Sequence, residues 1–294
     1  MLDAARDAPG TAGAVIRVIL HSTAAGLFDT ERAALADEPD GVHQHRTRVR
    51  RLRSVLAGFR DYLDDAAAEH LRVQFAEWGR ELGVVRDIEV RANAAASAID
   101  ELGIDDPHLE RRLVGVDRAE YRGAHARLRE QHAGSRSAAR MDALRRFPDD
   151  PPLSAAADAP IDTLQSVVRR EARRVRRAVT RSDGSLDALH DARKAGRRLR
   201  YVVEALHEAA PDFGGDAMDA LARAGEEVHD SLGTHRDELL FGDRVRRART
   251  HAGRAGERVG NFDLLIVHAE TKGREALERL PAAIARVREA VAGL

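Results

Sequence analysis

The sequence predicts an all-α protein built as two four-helix bundles related by an internal pseudo-two-fold duplication. Apolar residues recur at helical spacing almost everywhere between proline and glycine breaks, while alternating strand patterns with hairpin turns are hard to find. A stretch of four prolines and small residues, PDDPPLSAAADAP from Pro148 to Pro160, divides the 294-residue chain near its middle. Each side of that stretch carries the same two motifs in the same order. The expected units are residues 1–147, a linker over 148–160, and residues 161–294.

Taken in order, the first helix is expected over Gly13–Phe28, where the apolar run Ala14–Leu20 is interrupted by Arg17. The second, Gly41–Leu63, contains VHQHRTRVRRLR, with five arginines and two histidines in twelve residues. At about 100° per residue, His43, Arg46, Arg50 and Arg53 fall within an arc of roughly 80°. Val42, Val49, Leu52, Val55, Leu56 and Phe59 take the other side, so one face can be buried while the other offers a ladder of guanidinium groups. A third helix over Ala66–Leu102 carries LGVVRD (Leu82–Asp87). A fourth, His108–Phe147, places His125 and His132 on one face, as is ordinary for a surface helix.

Beyond the linker, Ile161–Arg181 includes the basic run Val167–Arg177, whose arginines spread around the helix; some are read as extending the site and most as solvated. In Ser185–Glu208, HDARKAGRRLRY repeats the first basic stretch at an offset of 147 residues from His43 to His190. His190, Arg193, Arg197 and Arg200 align there, Lys194 and Tyr201 flank them, and Leu199, Val202, Val203 and Leu206 are the expected buried face. Gly215–His251 holds LGTHRD (Leu232–Asp237), offset by 150 residues from LGVVRD, and Asn261–Ala292 is the last expected helix. Two ordered matches at nearly one offset imply a duplicated unit.

The chain has 48 basic and 49 acidic residues, so any anion site must come from local clustering rather than overall charge. An arginine-rich composition can reflect nothing more than a GC-rich genome, but that does not explain where the arginines cluster. With no cysteine, disulfides, thiolate catalysis and cysteine-ligated metals are excluded. No stretch approaches a membrane span, and Asp3, Asp7 and Arg17 are wrong for a signal peptide, so a cytoplasmic protein is expected. Phosphate-loop, nucleophile-elbow and His-Glu-x-x-His motifs are missing, as is any compact acidic cluster. A binding module with no catalytic residues, metal or cofactor is therefore expected.

Like charges three and four residues apart repel along a helix. No carboxylate lies between His43 and Arg53, and only Asp191 is near in the second copy, so neighbouring helices or a bound anion must compensate. Arginine suits the anion, because its planar fork binds phosphate oxygens in pairs and keeps its charge. The alternative is a solvated or salt-bridged face. His43 and His190 are read as phosphate contacts, as titrating sensors, or as surface histidines satisfied by carboxylates. Gly83 and Gly233 are expected to permit close helix packing. Asp87 and Asp237 are expected to hold an arginine of the preceding basic helix rather than to touch a ligand.

VHQHRTRVRRLRS with LGVVRD, and LHDARKAGRRLRYVVEAL with LGTHRD, resemble the CHAD (conserved histidine α-helical domain) family over about 280 residues. Departures are His45 and Thr47 at usually apolar positions, Gly196 inside the second basic helix, and Arg197 where lysine is frequent. The resemblance implies basic helices lining a central groove or pore that binds inorganic polyphosphate, and association with polyphosphate granules. The residues so implicated are His43, Arg46, Arg50, Arg51, Arg53, His190, Arg193, Lys194, Arg197, Arg198, Arg200 and Tyr201. Some family members are fused to a triphosphate tunnel enzyme; its Glu-x-Glu-x-Lys signature is missing, which suggests a standalone member. Nucleic-acid backbone binding is the main alternative, although 4% aromatic content leaves little for base stacking. Polyphosphate hydrolysis with a stripe histidine as acid or base is the enzymatic alternative, and a purely structural scaffold is the third.

Overall fold

The computed structural model describes residues 10–182 and 185–292, so Asp3 and Asp7 lie outside the described residues. The protein is all-helical. Among the described residues extended pairing is limited to two isolated bridges, Thr11 with Pro160 and Leu63 with Leu153.

Helix α1 (Ala12–Leu35) starts at Thr11, whose hydroxyl accepts the Ala14 amide, and runs a further two turns beyond Phe28. Helix α2 (Gly41–Gly58) carries the first basic stretch and gives way to a 3-10 turn, Arg60–Tyr62. Asp64 caps the 37-residue α3 (Asp65–Glu101) by accepting two backbone amides. The expected fourth helix is instead three pieces. A short α4 (Pro107–Glu110) passes through a π-helical turn, Arg111–Gly115, into α5 (Val116–His132). After a break at Ala133 and Gly134, α6 follows (Ser135–Asp149).

In the second half, α7 (Gln165–Thr180) precedes α8 (Leu186–Ala209), which carries the second basic stretch. Helix α9 (Gly215–Arg254) is the longest, at 40 residues. The expected last helix is split into α10 (Gly260–Glu278) and α11 (Leu280–Ala292). Pro281 explains the split: without an amide proton it fits the first turn of a new helix but not the interior of an old one.

The proline-rich stretch is tied to its neighbours. Pro148 closes the last turn of α6, and the Asp64 amide donates to Pro152 at 2.6 Å. The Ser154 amide donates to Tyr62 at 3.0 Å and the Ala12 amide to Ala159 at 2.8 Å, with Leu153 and Ala157 buried beneath. Backbone groups that proline leaves outside helices thus find partners at the start of α1, in the 3-10 turn after α2 and at the cap of α3.

The main core draws on both halves, packing Leu27, Phe59 and Trp78 in one cluster with Leu199, Val202 and Val228. A second, smaller core also mixes them, with Ala95 and Leu113 against Phe241, Val245 and Phe262. The basic helices α2 and α8 touch directly. Gly58 lies against Val202, and Arg198 Nη2 donates to the Ala57 carbonyl at 2.6 Å. On α8, Gly196 meets α9 so closely that an added Cβ would sit 3.1 Å from the Gly225 carbonyl oxygen.

Candidate functional site

The site begins where two arginines lie over two glycines. The Arg46 guanidinium passes over Gly83 of α3, leaving a hypothetical Cβ there 3.3 Å from Nη2. Arg193 passes over Gly233 of α9 in the same way, at 3.1 Å. One turn further on, Asp87 reaches Arg46 at 3.7 Å, and Asp237 is the strongest attractive charge acting on Arg193. Asp87 and Asp237 also act on each other, and Asp237 on Arg46, so the elements of the two halves converge on one locus.

Deeper along α2 and α8, one turn on, stand Arg50 and Arg197. Arg50 Nη2 donates to Thr47 at 3.0 Å. Burial first, and then Arg50, Arg193 and Arg46, push Arg197 down to about 10. Arg50 is lowered for the same reason, by burial and then by Arg46, Arg86 and Arg200. Tyr201 is buried beside them, and no carboxylate is among the groups acting most strongly on either. These two arginines, from opposite halves, repel one another in a partly desolvated place.

The histidines rest against this cluster. His43 is lowered by burial and Arg86, which outweigh Asp40 and Glu89. His190 is lowered by burial, then by Lys194, Arg236, Arg193 and Arg197. The buried His229 of α9 is pushed down to about 2 by burial and by Arg193, Arg197, Arg50 and Arg200. Among the described residues the buried Nε atoms of Arg50, Arg53 and Arg193, and Nδ1 of His190 and His229, have no hydrogen-bond partner. The arginine Nε groups always carry a proton, are costly to leave unpaired in low dielectric, and donate readily to an oxyanion.

Other residues singled out in the sequence lie elsewhere. Arg51 forms a fork with Glu208, and Arg198 binds the fully buried Glu171 at 2.8 Å; both join helices. Arg200 is held by Glu204 at 2.6 Å and Glu226 at 2.8 Å, and Lys194 by Asp191 at 3.1 Å. Arg53 turns toward Arg72 and Arg80 of α3, on a separate flank. His45 is fully buried: it accepts from Trp78 Nε1 at 2.8 Å through Nε2, and Nδ1 lies 3.0 Å from Thr30 Oγ1. That pairing fixes it neutral, with burial pushing it down to about 3.

Sequence reasoning missed Arg86, Arg236 and His229. Both arginines were visible as the shared arginine of LGVVRD and LGTHRD. Arg86 is partly neutralised by Glu89 at 2.8 Å and Asp40 at 4.0 Å. His229 had no signal, because Gly79 stands 150 residues before it.

Two basic helices that touch and pool their arginines over paired long helices define a class of all-helical domains. Within it, the CHAD domain family model matches residues 18–246, and the chain belongs to the CHAD domain family. The crystal structure of the CHAD domain from the plant Ricinus communis superposes with a TM-score of 0.67 at 20% identity, covering 93% of this chain and 90% of that one. PptA from Streptomyces chartreusis gives 0.65 at 18% identity, covering 96% and 99%. An uncharacterized protein of Mycobacterium tuberculosis, Rv2226, is 26% identical over 273 residues, which are 89% of this chain. The chain spans about half the length of that relative.

Proposed function

We propose that this chain is an inorganic polyphosphate-binding module that carries out no catalytic step and acts at polyphosphate granules in the cytoplasm. The observation that carries the reading is the pairing of Arg50 and Arg197, half-buried, mutually repelling, and with no carboxylate among the groups acting most strongly on them. Arg46 and Arg193 extend the cluster, and the unpaired Nε donors of Arg50 and Arg193 suit a ligand with many oxygens and several negative charges. Family membership supports the same ligand class.

The site belongs, in this reading, to two duplicated four-helix halves related by a pseudo-two-fold axis. Supporting that are Arg46 over Gly83 beside Asp87, and Arg193 over Gly233 beside Asp237. A linear polyanion running between the halves meets equivalent arginines from each, so the second half binds at high effective concentration.

The test is a titration of long-chain polyphosphate across a salt series, with duplex DNA and triphosphate as comparators. Wild-type protein is expected to bind the long chain tightly, with affinity falling as salt rises. Arg50→Glu combined with Arg197→Glu is expected to lose at least about a hundredfold, the scale of two charge-assisted contacts. Unchanged affinity in that double variant at moderate salt would end the proposal.

A further inference from the structure

Helix α8 has a second basic flank, turned away from the central cluster. A cleft of about 570 Å³ lies there between α7 and α8, lined by Arg170, Arg174, Arg177 and Arg181 together with Ala188 and Asp191. Steps of four and three residues put Arg170, Arg174 and Arg177 on one stripe of α7, and the C-cap residue Arg181 follows four residues on. Asp191 is the carboxylate in the lining, and Lys194 already holds it at 3.1 Å.

The floor of the cleft is fixed. Arg170 is bound by Asp61 and by the Gly58 carbonyl, and Arg174 by the buried Glu171 at 3.2 Å. Arg177 and Arg181 are exposed and form no ion pair among the described residues. A helix C-terminus favours nearby cations without any ligand, which accounts for these last two, but not for a stripe reaching back three turns to Arg170.

Two sides of one helix are involved. Arg193 and Arg197 face α9 and α2, whereas Arg198 faces Glu171 of α7. Lys194 stands between them, bonded to Asp191 at the cleft while its charge acts on His190 at the central cluster. We propose that the α7–α8 cleft is a second oxyanion subsite, filled by the continuation of the polyphosphate chain that occupies the central cluster and crosses α8 at Lys194. This rests on the polyphosphate reading above. A helix with side chains is about 10 Å wide, so a triphosphate fills one site and only a longer chain reaches both.

The experiment titrates the full chain with long-chain polyphosphate and with triphosphate over a salt series. It uses wild type, Arg177→Gln with Arg181→Gln, Lys194→Gln alone, and the central Arg50→Glu, Arg197→Glu pair. The cleft pair should weaken the long chain about tenfold and make its salt dependence shallower, leaving triphosphate unchanged. Lys194→Gln should weaken the long chain selectively as well. Long-chain affinity and salt slope equal to wild type in both cleft and crossing variants would overturn the inference while the central variant's loss left the polyphosphate reading standing. So would an equal loss for triphosphate. Wild-type binding by the central variant would instead remove the underlying reading, and the inference with it.

Discussion

Replacing Arg197 with methionine should raise the stability of the ligand-free protein while removing its response to polyphosphate. In the fold Arg197 titrates near 10 rather than 12.5, chiefly through burial and then through Arg50, Arg193 and Arg46. A folded-state value below the unfolded one means that the charged form is penalised at every pH below about 10, neutrality included. At about 1.4 kcal/mol per pH unit, the difference corresponds to roughly 3 kcal/mol, which partial solvation brings nearer 1–2 kcal/mol. Methionine has similar length and helix propensity, so little else changes. Thermal unfolding without ligand should therefore show a rise of roughly 2–5 °C. Saturating polyphosphate should raise the Tm of wild type by mass action and leave the variant much less affected. A variant that melted several degrees below wild type would mean that the charge is already compensated within the protein. That result would refute the argument from stored repulsion.

Acid should weaken the fold before the carboxylates titrate. His45 and His229 are neutral in the native state, near 3 and 2, against 6.5 when unfolded, so the unfolded chain binds more protons between those values. Stability is then full above about pH 6.5 and falls as pH drops, by up to about 1.4 kcal/mol per unit for each histidine. Urea unfolding at pH 7.5 and 5.5 reads this directly, and a midpoint unchanged between them would contradict it. Bound polyphosphate should reduce the His229 part, because an anion beside it offsets Arg193, Arg197, Arg50 and Arg200. Gly196→Ala offers an opposite test of packing against propensity. Alanine is favoured in a helix by about 1 kcal/mol, yet its Cβ would sit 2.9 Å from Val228 Cγ1 and 3.1 Å from the Gly225 carbonyl oxygen. A net loss of about 1–2 kcal/mol is expected from overpacking, and a stabilised variant would show that α8 and α9 can separate at little cost.

Periodicity and punctuation in the sequence were sufficient for the all-helical class and for the buried sides of both basic helices, because the helix repeat alone decides which residues share a face. Leu52, Val55, Leu199 and Val202 are buried as their spacing requires. Composition was a poorer guide at the breaks. Pro281 opens a helix rather than ending the chain's last one, and the proline-rich stretch is bonded to the start of α1, the 3-10 turn after α2 and the cap of α3, since local propensity does not say which distant backbone groups are waiting for partners. Only the tertiary structure sorted the arginines. Arg50 and Arg51 are neighbours in sequence, yet one turns toward Arg197 and the other toward Glu208. A helical stripe fixes the direction of a side chain to within an arc, whereas its countercharge comes from whichever helix packs alongside. Whether a guanidinium is neutralised or left facing another positive charge is therefore a property of that packing, and it is also what separates a structural arginine from one that awaits an anion.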